Sequence, residues 1–191
     1  MSDTPRKGTM LVISGPSGSG KTTICKRLLE DPRVRFSISA TTRNPRAGEV
    51  DGRDYHFISR ERFKELMAEG AFIEHADVYG NMYGTLRGPM QEAMARGEVY
   101  LLEIDVQGAL QLKSLREPGI YVFIAPPDFT ELRRRLTDRK TEAPDVLERR
   151  LRKAEDEWRE RGRYDHVVVN DKLEDALAQI RKIAGLEHGI G

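Results

Sequence analysis

The sequence has little of what builds extracellular scaffolds, zinc modules or membrane spans. Cys25 is the single cysteine among 191 residues, so no internal disulfide can form. The four histidines are too far apart for a zinc-binding pattern. The longest uninterrupted apolar run covers residues 120–125, far short of the roughly 20 residues that cross a bilayer. We therefore expect no membrane partner and a location in the reducing cytoplasm.

The sequence also lacks an excess of charge of either sign. It has 32 Lys and Arg against 31 Asp and Glu, a formal net charge of +1. No overall field therefore favours nucleic acid, and a basic site must be local. The polar segment 1–8 has no apolar stretch of the kind found in signal peptides. With 38% hydrophobic residues, a chain of this length predicts one domain, 1–191.

Short apolar runs rich in β-branched residues recur along the chain, and each is followed by a helical pattern. The predicted core strands are 10–13, 36–39, 99–102, 121–124 and 167–169. The predicted helices are 21–30, 60–68, 86–96, 107–116, 129–139, 144–161 and 173–184. This alternation predicts an α/β fold in three layers, with helices on both faces of a parallel sheet.

Two stretches interrupt that alternation. Residues 43–84 are short polar and aromatic segments separated by glycines, which predicts a smaller inserted lobe of antiparallel strands. Residues 131–163 are dominated by Arg, Lys, Glu and Asp, which by themselves are typical of a solvated pair of helices.

One motif predicts a nucleotide triphosphate site. Residues 15–22 read Gly-Pro-Ser-Gly-Ser-Gly-Lys-Thr, a complete GxxxxGK[ST] pattern between an apolar strand and a helix. Glycines let successive N–H groups point at phosphate oxygens, and the helix N-terminus adds its dipole. Lys21 is expected as a solvent-facing cation that reaches the β and γ phosphates, and Thr22 offers its hydroxyl to Mg²⁺.

Glu103 and Asp105 follow the strand at 99–102. Ligands of open parallel sheets bind at the carboxyl ends of the strands, so both acids are expected to face the phosphate loop. Asp105 has a second interpretation, as the N-cap of the helix that follows it.

The loop alone does not identify the phosphate acceptor, because motors, GTP switches and kinases share it. A GTP switch would need an Asn-Lys-x-Asp loop, and residues 170–172 have the wrong order. Arg43 and Arg46 lie three residues apart around Pro45, where their forked donors can converge on one phosphate. Taken alone, both arginines fit a solvated surface equally well.

Five segments together resemble successive motifs of guanylate kinases. They are 39–49 (SATTRNPRAGE), 52–57 (GRDYHF), 72–76 (FIEHA), 80–85 (GNMYGT) and 102–108 (LEIDVQG). The resemblance runs in order from about residue 10 to 175. It implies transfer of a phosphoryl group from ATP to GMP with Mg²⁺, on a phosphate-loop NTPase-type core (9–35, 97–127 and 163–191) with a mixed β lobe that binds GMP (36–96) and a helical lid (128–162).

The resemblance also implies a role for each matching residue. The implied GMP site comprises Ser39, Arg43, Arg46, Tyr55, Glu74, Tyr83, Thr85 and Asp105. The implied ATP site comprises Gly15, Pro16, Ser17, Gly18, Ser19, Gly20, Lys21, Thr22, Thr23 and Asn170. The implied catalytic cations are Lys21, Arg43, Arg135, Arg139 and Arg150. Thr22, and Glu103 through water, would hold the metal.

The residues agree with this assignment on physical grounds, and two alternatives are weaker. Phosphoryl transfer needs positive charge and positioning, not a protein nucleophile. A guanylate-kinase-like binding module would have lost the phosphate loop, which is intact here at 15–22. A kinase for a phosphorylated sugar would have no use for a purine-reading set such as Glu74 and Asp105. The sequence leaves open whether the chain forms a homo-oligomer.

Overall fold

The computed structural model describes residues 7–78, 80–137 and 144–187. The elements, in chain order, are β1 (Thr9–Ser14), α1 (Lys21–Leu28), β2 (Val34–Phe36), β3 (Ala40–Thr41), β4 (His56–Phe57), α2 (Arg60–Ala68), β5 (Phe72–Val78), β6 (Asn81–Leu86), α3 (Arg87–Ala95), β7 (Val99–Glu103), α4 (Val106–Ser114), β8 (Ile120–Ala125), α5 (Phe129–Thr137), α6 (Pro144–Arg159), a 3₁₀ turn (Glu160–Arg163), β9 (His166–Val169) and α7 (Leu173–Ile183).

The larger sheet has five strands in the order β2-β7-β1-β8-β9, and every pairing in it is parallel. Successive side chains of a strand point to opposite faces. Leu11 and Ile13 of β1 therefore pack against α1 and α7, whereas Met10 and Val12 pack against α3 and α4. All four side chains are fully buried. The predicted three-layer α/β core is confirmed.

The smaller sheet has the order β4-β3-β6-β5. The predicted antiparallel pairing is correct for β3 with β6 and for β5 with β6, but β3 pairs with β4 in parallel. The long connection across 42–55 allows this, because parallel neighbours need a crossover of about a dozen residues. Phe63 and Phe72 stack at 4.5 Å between ring centroids over this sheet. A Cβ on Gly84 would lie 2.7 Å from the Phe72 ring, so glycine permits this packing.

Other boundaries differ from those predicted. The strand predicted at 36–39 is instead β2, Val34–Phe36, and residues 37–39 lead out of the larger sheet. Helices α5 and α6 form the charged region and pack through Leu132, Leu136 and Ala154, so the pair has its own apolar contact. Among the described helices, none has both the length and the apolar composition needed to cross a membrane.

Candidate active site

The phosphate loop joins β1 to α1 at the carboxyl edge of the larger sheet. Gly15, Gly18 and Gly20 have φ values of 138°, 86° and 93°, which residues with a Cβ rarely adopt. A Cβ on Gly15 would also lie 2.4 Å from the Ile124 carbonyl oxygen. The N-cap residue of α1 is Gly20, which has no side chain to cap the helix, so the N–H groups of the first turn remain available to an anion.

Lys21 folds back over the loop instead of facing solvent. Its Nζ donates hydrogen bonds to the carbonyl oxygens of Gly15, at 2.6 Å, and Pro16, at 2.9 Å. Burial lowers the pKa of Lys21, and the Glu103 carboxylate partly opposes this effect. The expectation of a solvent-facing lysine is therefore wrong, because the ammonium donates its hydrogen bonds to carbonyl oxygens of the loop itself.

Thr22 and Glu103 meet across the cleft. The Thr22 hydroxyl donates to Glu103 Oε1 at 2.6 Å. Strand pairing explains this contact, since Ile13 at the end of β1 is in register with Glu103 at the end of β7. A hydroxyl and a carboxylate are hard oxygen ligands of the kind Mg²⁺ binds, with water and phosphate completing its octahedron. Within the described ranges, no group of three or more His, Cys, Asp and Glu side chains could hold a metal ion.

Asn170 ties β9 to the phosphate loop. Its side-chain Nδ2 donates to the Ser19 carbonyl oxygen at 2.9 Å, and the side chain is buried. A Cβ on Gly20 would lie 2.3 Å from the same nitrogen. Arg135 of α5 donates to the Asn170 carbonyl oxygen at 3.2 Å and is held by Glu131 at 2.7 Å. Arg135 therefore approaches the loop through Asn170.

Helix α6 crosses over the loop. Arg150 donates to the Ser17 hydroxyl at 2.9 Å. Together the loop, the end of β7 and α6 enclose a cavity of about 810 Å³. Arg139, the third expected lid arginine, lies outside the described residues.

A second cavity of about 540 Å³ lies between the smaller sheet and α4. It contains most of the predicted acceptor residues, namely Ser39, Arg43, Arg46, Tyr55, Glu74, Tyr83 and Asp105. Thr85, with no exposed surface, lies behind Glu74. Tyr55, Glu103 and Asp105 line both cavities. The two cavities therefore adjoin, with the phosphate loop on one side and the acid–arginine pocket on the other.

The acidic end of the second cavity is built around Glu74. The Thr85 hydroxyl donates to Glu74 Oε1 at 2.6 Å, and burial raises the pKa of Glu74. Thr85 therefore reaches the cavity through Glu74 in this structure. Asp105 Oδ1 accepts the Gly108 N–H at 2.9 Å, which confirms the N-cap interpretation. Asp105 is exposed and lines both cavities. Its second carboxylate oxygen is therefore the one that can accept a hydrogen bond from a ligand.

The basic end of the same cavity is organised by a carboxylate that the sequence analysis did not assign. Glu49 Oε1 accepts from the Arg43 guanidinium at 2.8 Å, and Oε2 accepts from the Arg46 backbone N–H at 2.7 Å. The Arg43 guanidinium also lies 5.5 Å from the centre of the Tyr55 ring. Tyr83 packs edge-on against Tyr55, with ring centroids 5.9 Å apart. The only sequence signal for Glu49 was its place in the 39–49 motif.

Comparison with known proteins decides the family. The family model described as guanylate kinase matches residues 7–186. The chain belongs to the guanylate kinase family. A guanylate kinase of Clostridium perfringens (strain 13 / Type A) is 48% identical over 178 residues, which cover 93% of this chain and 82% of that protein. A guanylate kinase of Geobacter metallireducens is 45% identical over 183 residues, covering 95% and 90%.

A solved guanylate kinase structure also matches the fold. The crystal structure of guanylate kinase from Anaplasma phagocytophilum superimposes with a TM-score of 0.72 at 38% identity, covering 94% of this chain and 86% of that one. The resemblance inferred from the sequence motifs is thus confirmed, as is the phosphate-loop kinase core.

Proposed function

We propose that the protein transfers the γ-phosphoryl group of ATP to GMP, producing ADP and GDP. The observation that carries this proposal is the pair of adjoining cavities. One is built around a phosphate loop, and the other has carboxylates at one end and arginines at the other. A donor nucleotide and an acceptor nucleotide can therefore meet with their phosphates facing, as direct transfer requires.

The lobe 36–96 is the proposed acceptor side. Guanine presents N1–H and N2–H₂ as a row of donors, which suits the acceptor-only carboxylates of Glu74 and Asp105. Ser39 supplies a hydroxyl for guanine O6, and Thr85 keeps the Glu74 carboxylate in place through its 2.6 Å hydrogen bond. Adenine would turn a lone pair and an amino group toward these groups and leave them unpaired.

The basic end of the second cavity is proposed to hold the GMP phosphate. Arg43 and Arg46 supply forked, permanently charged donors, and Tyr55 and Tyr83 supply hydroxyl donors. Because Glu49 already holds the Arg43 guanidinium and the Arg46 backbone N–H, the Arg43 side chain and the Arg46 main chain are in place before the nucleotide arrives. That arrangement reduces the entropy lost on binding.

The core segments 9–35, 97–127 and 163–191 are proposed to bind ATP. The loop N–H groups at 15–22, with Thr23 following, surround the phosphates, and Lys21 exchanges its bonds to loop carbonyls for bonds to the β and γ phosphates. Thr22, and Glu103 through water, would hold Mg²⁺. The metal supplies charge neutralisation between the phosphates when it is bound.

The lid, 128–162, is proposed to complete the cation set. Arg135, Arg139 and Arg150 would surround the transferring group, where charge develops on the equatorial oxygens. The contact of Arg150 with Ser17 supports this placement for one of the three. We expect full lid closure only with both nucleotides bound, because the arginines then have phosphates between them and water is excluded. The cytoplasm, which supplies both nucleotides, is the proposed location.

The experiment for the function combines turnover and stability in Lys21→Ala. We expect ADP release with GMP to be almost abolished while the melting curve stays close to that of the wild type, since the two hydrogen bonds of Lys21 are to its own loop. Near-wild-type turnover in a folded Lys21→Ala protein would reject the proposed site.

A further inference from the structure

The first cavity, of about 810 Å³ around the phosphate loop, is lined by one face of α6. That face presents more charged side chains to this phosphate cavity than the proposed mechanism uses. Arg150, Lys153 and Glu157 line this cavity together with Lys21. They are spaced i, i+3 and i+7, so they share one side of the helix. The contact of Arg150 with Ser17, at 2.9 Å, holds this side over the loop. Lys153 and Glu157 have no role in the reaction as derived above.

Glu157 is the less accessible of the two. Its side chain is 12% exposed, whereas that of Lys153 is 61% exposed, and Lys153 Nζ lies 3.6 Å from Glu157 Oε1. Burial raises the pKa of Glu157, and the positive charges of Lys153 and Lys21 oppose that rise. A glutamate side chain therefore shares with two lysines the cavity that is proposed to take the phosphates of ATP.

The contact between Lys153 and Glu157 is of a kind that breaks easily. Its 3.6 Å separation is long for a charge-assisted hydrogen bond. A helix pair with lysine four residues before glutamate is also the weaker of the two orders. The long, flexible stem of lysine lets the ammonium change partner without moving the helix. A triphosphate entering the cavity would compete with Glu157 for this ammonium.

We infer that Lys153 is a further phosphate-binding residue for the donor nucleotide, and that Glu157 holds its ammonium until the triphosphate binds. The inference rests on the proposed function, in which this cavity takes the phosphates of ATP. It predicts opposite effects for the two members of one ion pair. Removing the lysine removes a phosphate ligand, whereas neutralising the glutamate removes a competitor of the phosphates.

The test compares Lys153→Met and Glu157→Gln with Arg152→Met. Arg152 is the matched control, because it loses the same charge from the adjacent position of α6, where it pairs with Glu148. Calorimetry with the non-hydrolysable analogue AMP-PNP and Mg²⁺ gives the Kd in each protein. Steady-state turnover then gives separate KM values for ATP and GMP.

Lys153→Met is expected to weaken AMP-PNP binding and raise the KM for ATP about tenfold, close to the lower limit for a lost charge-assisted hydrogen bond. Its KM for GMP should change less than about twofold, and Lys153→Arg should restore ATP binding. Glu157→Gln, which keeps the side-chain shape, is expected to tighten AMP-PNP binding about threefold, in keeping with a weak competing ion pair. Arg152→Met should match the wild type.

Two results overturn the inference: Lys153→Met binding AMP-PNP as Arg152→Met does, or Glu157→Gln binding it no more tightly than the wild type. A purely structural ion pair gives the second result, because losing either partner would then act in the same direction. Failure of the proposed function is a separate observation, since wild-type protein would then release no ADP with GMP although AMP-PNP binding could still be measured.

Discussion

Glu74→Gln separates base recognition from structural support at one side chain. In the wild type, Glu74 Oε1 accepts the Thr85 hydroxyl at 2.6 Å, which leaves the other carboxylate oxygen for the guanine donors. Glutamine has the same shape, and its carbonyl oxygen can keep the bond to Thr85. Its NH₂ group then faces the N–H groups of guanine, so that donors meet donors.

The expected loss follows from the bonds that are broken. Each charge-assisted hydrogen bond contributes about 1.5–3 kcal/mol, and the guanine donors are left unpaired as well. Losing one or two such bonds costs roughly 3–5 kcal/mol, and each 1.36 kcal/mol is a factor of ten, so kcat/KM for GMP should fall about 10²–10⁴-fold. Stability should move the other way. Burial raises the pKa of Glu74, so a neutral side chain removes an unfavourably buried charge and the Tm should hold or rise.

A coupled assay of ADP release against GMP concentration, together with thermal melting, measures both quantities. Glu69→Gln is the matched control, because Glu69 lies in the same lobe with its side chain 56% exposed. The reasoning is refuted if Glu74→Gln keeps kcat/KM within threefold of that control. It is also refuted if activity falls together with a large drop in Tm, since Glu74 would then support the lobe instead of reading the base.

Three further predictions concern Glu74, Thr22 and Gly20. Burial raises the pKa of Glu74 and guanine needs the ionised form, so the KM for GMP should rise as the pH falls through that raised pKa. A KM that stays flat until the pH reaches the ordinary range of a glutamate carboxyl would contradict this. Thr22→Val removes the hydroxyl bonded to Glu103, so a Mg²⁺ titration should show the concentration for half-maximal turnover raised about tenfold. Thr22→Ser keeps a hydroxyl and should leave that concentration unchanged. Gly20→Ala places a Cβ 2.3 Å from Asn170 Nδ2 at a φ of 93°, so the free energy of unfolding in urea should fall by about 1–3 kcal/mol. Adding Asn170→Ala should restore part of that loss, because it removes the close contact but not the backbone strain.

Most of the larger sheet was predictable from local sequence because its three central strands, β7, β1 and β8, are buried on both faces. Ile120–Ala125 and the first four residues of Val99–Glu103 are continuous apolar runs for that reason. The smaller sheet was harder. Ala40–Thr41 is too short to show any periodicity, and Asn81–Leu86 contains Gly84, which is typical of a turn but here makes room for Phe72. Its identity as a strand depends on a tertiary contact.

The phosphate loop was predictable because its chemistry is contained in eight consecutive residues. The position of Lys21 was predicted wrongly, since the sequence does not show that loop carbonyl oxygens accept hydrogen bonds from its ammonium. Glu49 and Glu157 were not assigned at all. Each carboxylate matters only through the cations that the fold brings to it, Arg43 in one case and Lys153 in the other.

The most direct measurement of the central claim is ADP release from ATP and Mg²⁺ by the purified protein with GMP, AMP, CMP and UMP in turn. Sites with buried polar groups matched to one substrate discriminate by about 10⁴ or more, so kcat/KM for GMP should exceed that for AMP by this order. GDP should form in equal amount to ADP. Comparable turnover of AMP, or ADP release that GMP does not stimulate, would contradict the account.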